Sequence, residues 1–520
     1  MSGTRFMPLC GSNMIGGSKL LLEFDESRVL LDFGTNFKGM NEYYEEFLKP
    51  RAPCGILDHV TMGILPNVRG LYREDLEHPD VVLDGLKIGR IDALLLSHAH
   101  VDHSGDIGFL RRDVPVVTSR MSAAIAKAMQ DSSQTAIGSD GVYANLREHK
   151  PGSPVLDAVT GDMPQRDFCL ADGKPSKGLE EFWKFYPPAL MSKATKKRIV
   201  PGKLLTGIPD VKFTACPVDH SIKGACGYII ETSRGSIVYT GDLRLHGLEG
   251  KKTLEFADAA RRAKPLALIT EGTTVGRPAG EQVSEEAVQE NISGLLDGMK
   301  GEFAIADFGP RNIERLQIFL RAAKEAGRRL VVPVKDAYLL SAMRLADGST
   351  PVPGDDMLIY DCPRSDHGGW EKYTFGHLFP GSSIKPSAVR AAPGDFLLAF
   401  SFWDMKHMVD LKPEKGHYLY SSSEAHSEEQ EIDFMRLRHW LDRFGIKHYG
   451  FDFDEKDRPF FPKGLHASGH ASEEDLREIV NKIDPEAVIP VHTEEPGWFE
   501  KEFGGSRRVL LPEQCEWVDL

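Results

Sequence analysis

Short apolar runs broken by turn-forming residues dominate the first half of the chain. Lys19–Phe24 and Arg28–Phe33 are β-rich runs on either side of Asp25-Glu26-Ser27, a spacing that predicts a hairpin. Ile91–Leu96 is an aliphatic run that ends at a polar cluster beginning with Ser97, the pattern of a buried strand feeding a functional loop. Pro115–Thr118 predicts another strand and Ser122–Gln130 a helix. From about Asp131 to Gly207 no period is sustained among many Gly, Pro, Ser and Lys residues, so this stretch reads as an irregular insertion or cap. Strand patterns return at Val211–Ala215, Gly227–Glu231 and Ser236–Thr240.

The second half alternates. Ser284 opens a helix with Glu285 and Glu286 in its first turn, extending to about Met299. Phe303–Ala306, a helix from about Arg311 to Ala326, Arg329–Pro333 and a helix near Ala337–Leu345 follow in strand-helix-strand-helix order, which predicts a second, parallel-sheet unit. The stretch from about Gly348 to Lys415 is rich in Pro, Gly and aromatic residues and precedes Tyr418–Ser421 and a helix Ser427–Phe444. A last unit, Lys463–Leu520, opens on a His/Gly turn, contains the helix Ser472–Ile483 and ends in strands. The chain reads as an α/β protein.

With 520 residues, 41% hydrophobic and 27% charged, two or more globular units are expected. The seven cysteines are scattered and never form a CxxC pair, which argues against a disulfide framework and a zinc ribbon and fits a reducing cytoplasm. No uncharged apolar run of about 18 residues occurs, and the start, Met1-Ser2-Gly3-Thr4-Arg5-Phe6, lacks a signal-peptide core; a soluble intracellular protein without a membrane segment is expected. The net charge of −14 repels a polyanion at long range, so a nucleic-acid role requires local basic surface. Lys193–Arg198, Arg261-Arg262 and Arg328-Arg329 are candidates, each readable equally as a solvated face.

His98-Ala99-His100-Val101-Asp102-His103 places four metal-ligand side chains within six residues at the end of a buried strand. Three more ligand types stand at strand ends: His220 in Val218-Asp219-His220, Asp242 in Thr240-Gly241-Asp242, and His492 in Pro490-Val491-His492. A single strand-end histidine is more often structural. Four such placements of matching chemistry point to a metal centre, because open α/β architectures carry their sites there.

At these residues the sequence resembles the metallo-β-lactamase superfamily. The resemblance implies an αββα sandwich with one metal held by His98, His100 and His220, a second by Asp102, His103 and His492, and Asp242 bridging both. Two further segments, Thr270-Glu271-Gly272-Thr273-Thr274 and His466-Ala467-Ser468-Gly469-His470, resemble motifs of the β-CASP nuclease group, which includes ribonuclease J and cleavage and polyadenylation nucleases. That likeness implies an α/β β-CASP domain inserted at 283–455 between two parts, 1–282 and 456–520, of the metallo-β-lactamase domain. The chain ends 28 residues after His492, so the extra C-terminal domain of ribonuclease J is expected to be absent.

The implied chemistry is phosphodiester hydrolysis of RNA by a hydroxide activated between two Zn²⁺ ions, with Mn²⁺ as an alternative, leaving 5′-phosphate ends. Asp102 and Asp242 serve the metals, His470 donates a proton to the leaving sugar oxygen, and Glu271 orients it and raises its pKa. His466, Ser468 and Gly469 are expected to contact the substrate phosphate, the small turn residues letting backbone N–H groups approach. His246 is a structural candidate beside the centre. Single-stranded DNA is an alternative substrate, since no group that reads a 2′-hydroxyl is evident; exonuclease or endonuclease action and a homodimer remain open. The competing readings are a hydrolase of a small ester, lactam or cyclic nucleotide, with the insertion as a lid, and a catalytically silent RNA-processing scaffold.

Overall fold

The computed structural model describes residues 3–45, 47–133, 137–187, 198–277, 283–422 and 428–520. Two sheets lie face to face. The first has eight strands in the spatial order Leu204–Leu205, Phe168–Leu170, Val116–Thr118, Ala93–Leu95, Ser27–Phe33, Lys19–Phe24, Arg5–Cys10 and Val518–Asp519. The second has six, in the order Phe213–Pro217, Cys226–Thr232, Gly235–Tyr239, Pro265–Thr270, Ala487–Pro490 and Arg508–Val509. Period-two alternation sorts the side chains: Val29 and Leu31 enter the inter-sheet core with Leu95, Tyr228, Ile237 and Ile269 while Leu30 faces the opposite way, until the left-handed backbone at Asp32 (φ +59°) breaks the alternation and sends Phe33 to the side of Leu30. Helices Gly250–Arg262 and Glu473–Ile483 cover the outer face of the second sheet through Phe256, Leu476 and Ile479, and helix Arg120–Ser132 covers the first. The result is a four-layer α/β/β/α sandwich.

The third sheet has seven parallel strands, Ser383–Ile384, Met357–Tyr360, Arg329–Pro333, Phe396–Ala399, Phe303–Asp307, Gly416–Tyr420 and Ile446–Tyr449 in spatial order. It draws on no strand from outside this stretch of chain. Helices Glu285–Asp297, Ile313–Glu325, Val334–Ala346 and Glu428–Arg443 pack around it, as parallel strands require crossover connections. Ser284 and Ser472 cap their helices, accepting from the backbone N–H of Ala287 and Asp475.

Two expectations need correction. The stretch 131–207 is not simply a cap: Phe168–Leu170 pairs in parallel with Val116–Thr118, and Leu204–Leu205 closes that edge of the first sheet. Strands of two or three residues carry no periodic signature. Nor is Arg328 part of a basic surface, because it is buried and donates to the carbonyls of Glu302, Phe396 and Met299. Arg261 and Arg262 are exposed, and of the run Lys193–Arg198 all but Arg198 lie outside the described residues.

A buried polar hub ties the sandwich to the parallel-sheet unit. Lys127 and Asp131 on helix Arg120–Ser132 are fully enclosed and pair at 2.6 Å, and Asp131 also accepts from Tyr143 and from Tyr338 of helix Val334–Ala346. Burial pushes the Asp131 carboxyl up against the pull of Lys127 and the two hydroxyls.

Candidate metal centre

The ligand loop owes its shape to an anchor on the neighbouring strand. Ser97 donates its N–H to Asp32 Oδ1 at 2.7 Å and its hydroxyl to Asp32 Oδ2 at 2.6 Å. The chain then runs extended to His100, which heads the helical turn Val101–Ser104, so His98 and His100 project from extended backbone and Asp102 and His103 from the turn. Gly34 permits this packing. A Cβ there would stand 1.6 Å from the Asp102 carbonyl oxygen, an impossible approach for any other residue.

His220 follows strand Phe213–Pro217, Asp242 follows Gly235–Tyr239 and His492 follows Ala487–Pro490, and all three ends meet the loop. His98 Nε2 and His220 Nε2 each lie 3.1 Å from His100 Nδ1. Zinc bonds of about 2.0–2.1 Å in a tetrahedron separate neighbouring ligand atoms by roughly 3.3 Å, so this trio matches one cation. Asp102, His103, Asp242 and His492 form a second cluster: His103 Nε2 is 3.0 Å from Asp242 Oδ2 and His492 Nε2 is 3.3 Å from Asp102 Oδ2. Asp242 Oδ2 lies between the two, 3.8 Å from both His98 Nε2 and His220 Nε2. All seven residues expected to hold metal are thus gathered at one place.

The outer hydrogen bonds set the tautomers. Nδ1 of His98 faces Ser97 Oγ, Nδ1 of His103 faces Asp32, Nδ1 of His220 faces the Gly469 carbonyl and Nδ1 of His492 faces Thr273 Oγ1. Ser97 and Thr273 have given their own hydroxyl protons to Asp32 and Glu271, so each of these Nδ1 atoms is the donor and each Nε2 lone pair turns inward. Asp242 Oδ1 is buried without a hydrogen-bond partner, and His103 Nε2 and Asp242 Oδ2, 3.0 Å apart, are buried with only each other to meet, a costly arrangement unless a cation is received there. Burial, reinforced by neighbouring imidazoles, holds His98 and His100 well below the usual histidine range, in the neutral form that coordinates. The donor set, the inward lone pairs and the orphaned oxygens fit divalent metal. One contact competes: the Gly16 N–H reaches His492 Nε2 at 2.9 Å and must yield it to a ligand role.

His492 has φ +52°, a conformation costly for a residue with a Cβ and one that clusters at functional sites. His470 donates from Nδ1 to Glu271 Oε2 at 2.9 Å, and this nitrogen is 3.8 Å from Asp242 Oδ2. Burial works against the His470 cation, but the charges of Glu271, Asp242 and Asp102 outweigh it and raise the group to about 9. Glu271 is enclosed and also accepts from the Leu243 N–H and from Thr273.

The turn before His470 departs from expectation. His466 does not offer a nitrogen to a phosphate: Nδ1 meets the Ser422 carbonyl at 2.9 Å and Nε2 the Gly450 carbonyl. Ser468 exchanges hydrogen bonds with the backbone of His470, and its carbonyl accepts from Arg244 and His246. At Gly469 an added Cβ would stand 2.7 Å from Ser221 Oγ and 3.3 Å from His220 Cε1, so glycine here lets the turn reach the ligand ring.

Sequence reasoning missed Asp32, Thr273 and Arg244. Asp32 is fully buried at φ +59° and accepts from Ser97, His103 and Tyr239; its signal was a carboxylate inside an otherwise apolar strand. Arg244, enclosed, pairs with Asp219, Glu285 and Glu314, and Glu285 in turn takes both Nη2 bonds of Arg315. This network joins the Asp242 loop, the Ser468 turn and the helices of the parallel-sheet unit.

The comparisons agree with the geometry. The family model of the metallo-β-lactamase superfamily matches residues 69–290, and that of the Zn-dependent metallo-hydrolase RNA specificity domain matches residues 463–497. Over residues 69–290 the chain thus carries the fold of the metallo-β-lactamase superfamily. Ribonuclease J2 of Bacillus subtilis (strain 168) is 28% identical over 306 residues, 58% of this chain and 50% of that protein. Ribonuclease J of Mycolicibacterium smegmatis is 24% identical over 496 residues, 94% of this chain and 69% of its own, and transcription termination factor FttA of Pyrococcus abyssi is 33% identical over 119 residues, 22% of this chain and 14% of that one. The match thus spans about half the length of ribonuclease J2. A crystal structure of a protein of unknown function from Enterococcus faecalis V583 shares the fold, with a TM-score of 0.68 at 20% identity and full coverage of both chains. Within the superfamily these matches make the chain similar to the ribonuclease J-like, β-CASP group.

Proposed function

We propose that this protein is a metal-dependent ribonuclease that hydrolyses phosphodiester bonds to leave 5′-phosphate ends, with two Zn²⁺ ions, or Mn²⁺ in their place, held by His98, His100, His220, Asp242, Asp102, His103 and His492. The observation that carries it is the Glu271–His470 pair: His470, in the segment that matches an RNA specificity domain, holds Glu271 at 2.9 Å with its Nδ1 3.8 Å from Asp242 Oδ2. The division into 1–282, 283–455 and 456–520 follows the same reading, the third sheet being the inserted unit.

Cations bound in the two clusters would acidify water and neutralise phosphoryl charge. The chain supplies the rest. Glu271 engages Nδ1 of His470, which fixes the ring and leaves Nε2 to hand its proton to the sugar oxygen as the phosphorus–oxygen bond breaks. The phosphate then stays with the downstream fragment as a 5′ end. Asp32, Ser97 and Thr273 hold the imidazoles in one tautomer, so the site needs little rearrangement as charge develops.

Among the described residues no helix is long and apolar enough to cross a membrane. Digestion of end-labelled RNA carrying 5′-phosphate or 5′-hydroxyl, with zinc, manganese or chelator, tests the proposal. Metal-dependent products with 5′-phosphate ends support it, and the pattern of products separates stepwise from internal cutting. Turnover of a chromogenic lactam or small phosphodiester with RNA and single-stranded DNA left intact would replace the proposal with a small-molecule hydrolase, a reading that the net charge of −14 favours.

A further inference from the structure

Arg311 stands at the rim of the metal centre, although it belongs to the parallel-sheet unit. It lies on the connection between strand Phe303–Asp307 and helix Ile313–Glu325 and donates from Nη1 to the Ala99 carbonyl at 3.1 Å. Ala99 sits between His98 and His100, so the guanidinium rests against the ligand loop. Its strongest electrostatic neighbours are His100 and Asp102.

The other arginines that join the two units are saturated. Arg244 spends its N–H groups on Asp219, Glu285, Glu314 and the Ser468 carbonyl, and Arg315 on Glu285, Ser421 and the Leu465 carbonyl. Arg311 is only half-buried, and among the described residues it forms no ion pair and no hydrogen bond besides that to Ala99. A guanidinium has five N–H donors in a planar fork suited to phosphate oxygens. Here most of that fork is uncommitted, and it stands beside a cluster built to gather cations. Repulsion between like charges so placed is relieved by an anion lying between them.

We propose that Arg311 is a substrate-phosphate contact, its free N–H groups binding non-bridging oxygens of the phosphodiester held at the metal centre. This rests on the nuclease reading. It also means that the inserted unit supplies a charged group to the reacting phosphate and does not merely cover it.

The test uses the zinc-loaded full chain and a fluorescent, phosphorothioate-linked 2′-O-methyl RNA that survives the measurement, with anisotropy followed from about 50 to 200 mM salt. In Arg311→Gln the slope of log affinity against log salt becomes shallower by about 0.7, the value of one single-strand phosphate contact. Zinc content and melting temperature stay at wild-type values, and Arg311→Lys keeps the wild-type slope because the charge remains. An unchanged slope in Arg311→Gln overturns the inference. So does loss of zinc or of thermal stability in both variants, which would make the Ala99 bond a structural clamp. Wild-type protein that neither binds nor cuts RNA refutes the nuclease reading itself, whereas wild-type binding with an unaltered Arg311→Gln slope refutes only the role of Arg311.

Discussion

Thr273 Oγ1 links Glu271 to His492, giving its proton to Glu271 Oε2 at 2.6 Å and facing His492 Nδ1 at 2.9 Å. One hydroxyl therefore connects the carboxylate partner of the expected proton donor to a candidate metal ligand 219 residues further along the chain. Thr273→Val keeps the shape and removes the relay. Metal affinity should fall about 10–100-fold, the usual loss when a ligand's outer partner is removed; competition with a chromogenic chelator measures it. Wild-type affinity would show that the hydroxyl does not orient His492.

Asp242 is the only carboxylate that lies within 3.8 Å of imidazoles from both clusters among the described residues. Asp242→Asn should reduce metal content and activity together, read by elemental analysis of the purified chain. Full occupancy in that variant would count against a bridging role.

His470→Ala should retain the wild-type metal content while turnover on RNA falls about 10²–10⁴-fold, the range for loss of a positioned acid. Equal turnover in mutant and wild type would remove His470 from the proton-donor role. Loss of metal would instead make it a ligand.

Lys127 and Asp131 form an enclosed ion pair at the seam of the two units. Removing one partner of such a pair costs about 3–5 kcal/mol, because the other charge is stranded. Lys127→Met should lower unfolding stability by that order in a denaturant titration, and Lys127→Met with Asp131→Asn should recover part of it. A single variant as stable as wild type would show that the pair is not a lock.

Asp307, at the end of a central strand of the parallel sheet, is pushed up to about 7, by burial first and by the charge of Asp404, against the donated hydroxyl of Tyr418. Its unfolded value is near 3.8, so the folded state is the stronger acid-binder. Its contribution to stability is fully present below about pH 4 and is lost as pH rises through about 7. Asp307→Asn removes this dependence, and the stability gained over wild type should grow between pH 5 and pH 8 in paired denaturation curves. A constant difference across that range would refute the assignment.

The sequence made the gathering of the seven candidate metal ligands legible because four of them fall within six residues and the rest stand at strand ends, where chain direction alone places them near the site. It did not reveal Asp32, since a single carboxylate in an apolar strand looks like a strand end until the fold turns it toward His103. Arg244 and its partners were illegible for another reason: Asp219, Glu285 and Glu314 are brought to it by tertiary packing, and charge spacing says nothing of that. His466 misled because motif position suggested a ligand contact, whereas both its nitrogens serve backbone carbonyls. In the third sheet the long helices and the strands Phe303–Asp307, Arg329–Pro333 and Gly416–Tyr420 were readable from period and caps, whereas Met357–Tyr360 and Phe396–Ala399 lay hidden in a stretch rich in Pro, Gly and aromatic residues. The edge strands Phe168–Leu170 and Leu204–Leu205 were not, being too short to show one.

The order of ligands along the chain has a consequence for biosynthesis. His98, His100 and His220 all precede the third sheet, and His492 follows it. A nascent polypeptide can therefore assemble the trio early, but the second cluster gains its final imidazole only after the whole intervening unit has left the ribosome. On the proposed ligand set, a chain that stalls within the third sheet would lack His492, so full metal loading would report that the whole intervening unit had been made and had brought the last segment home.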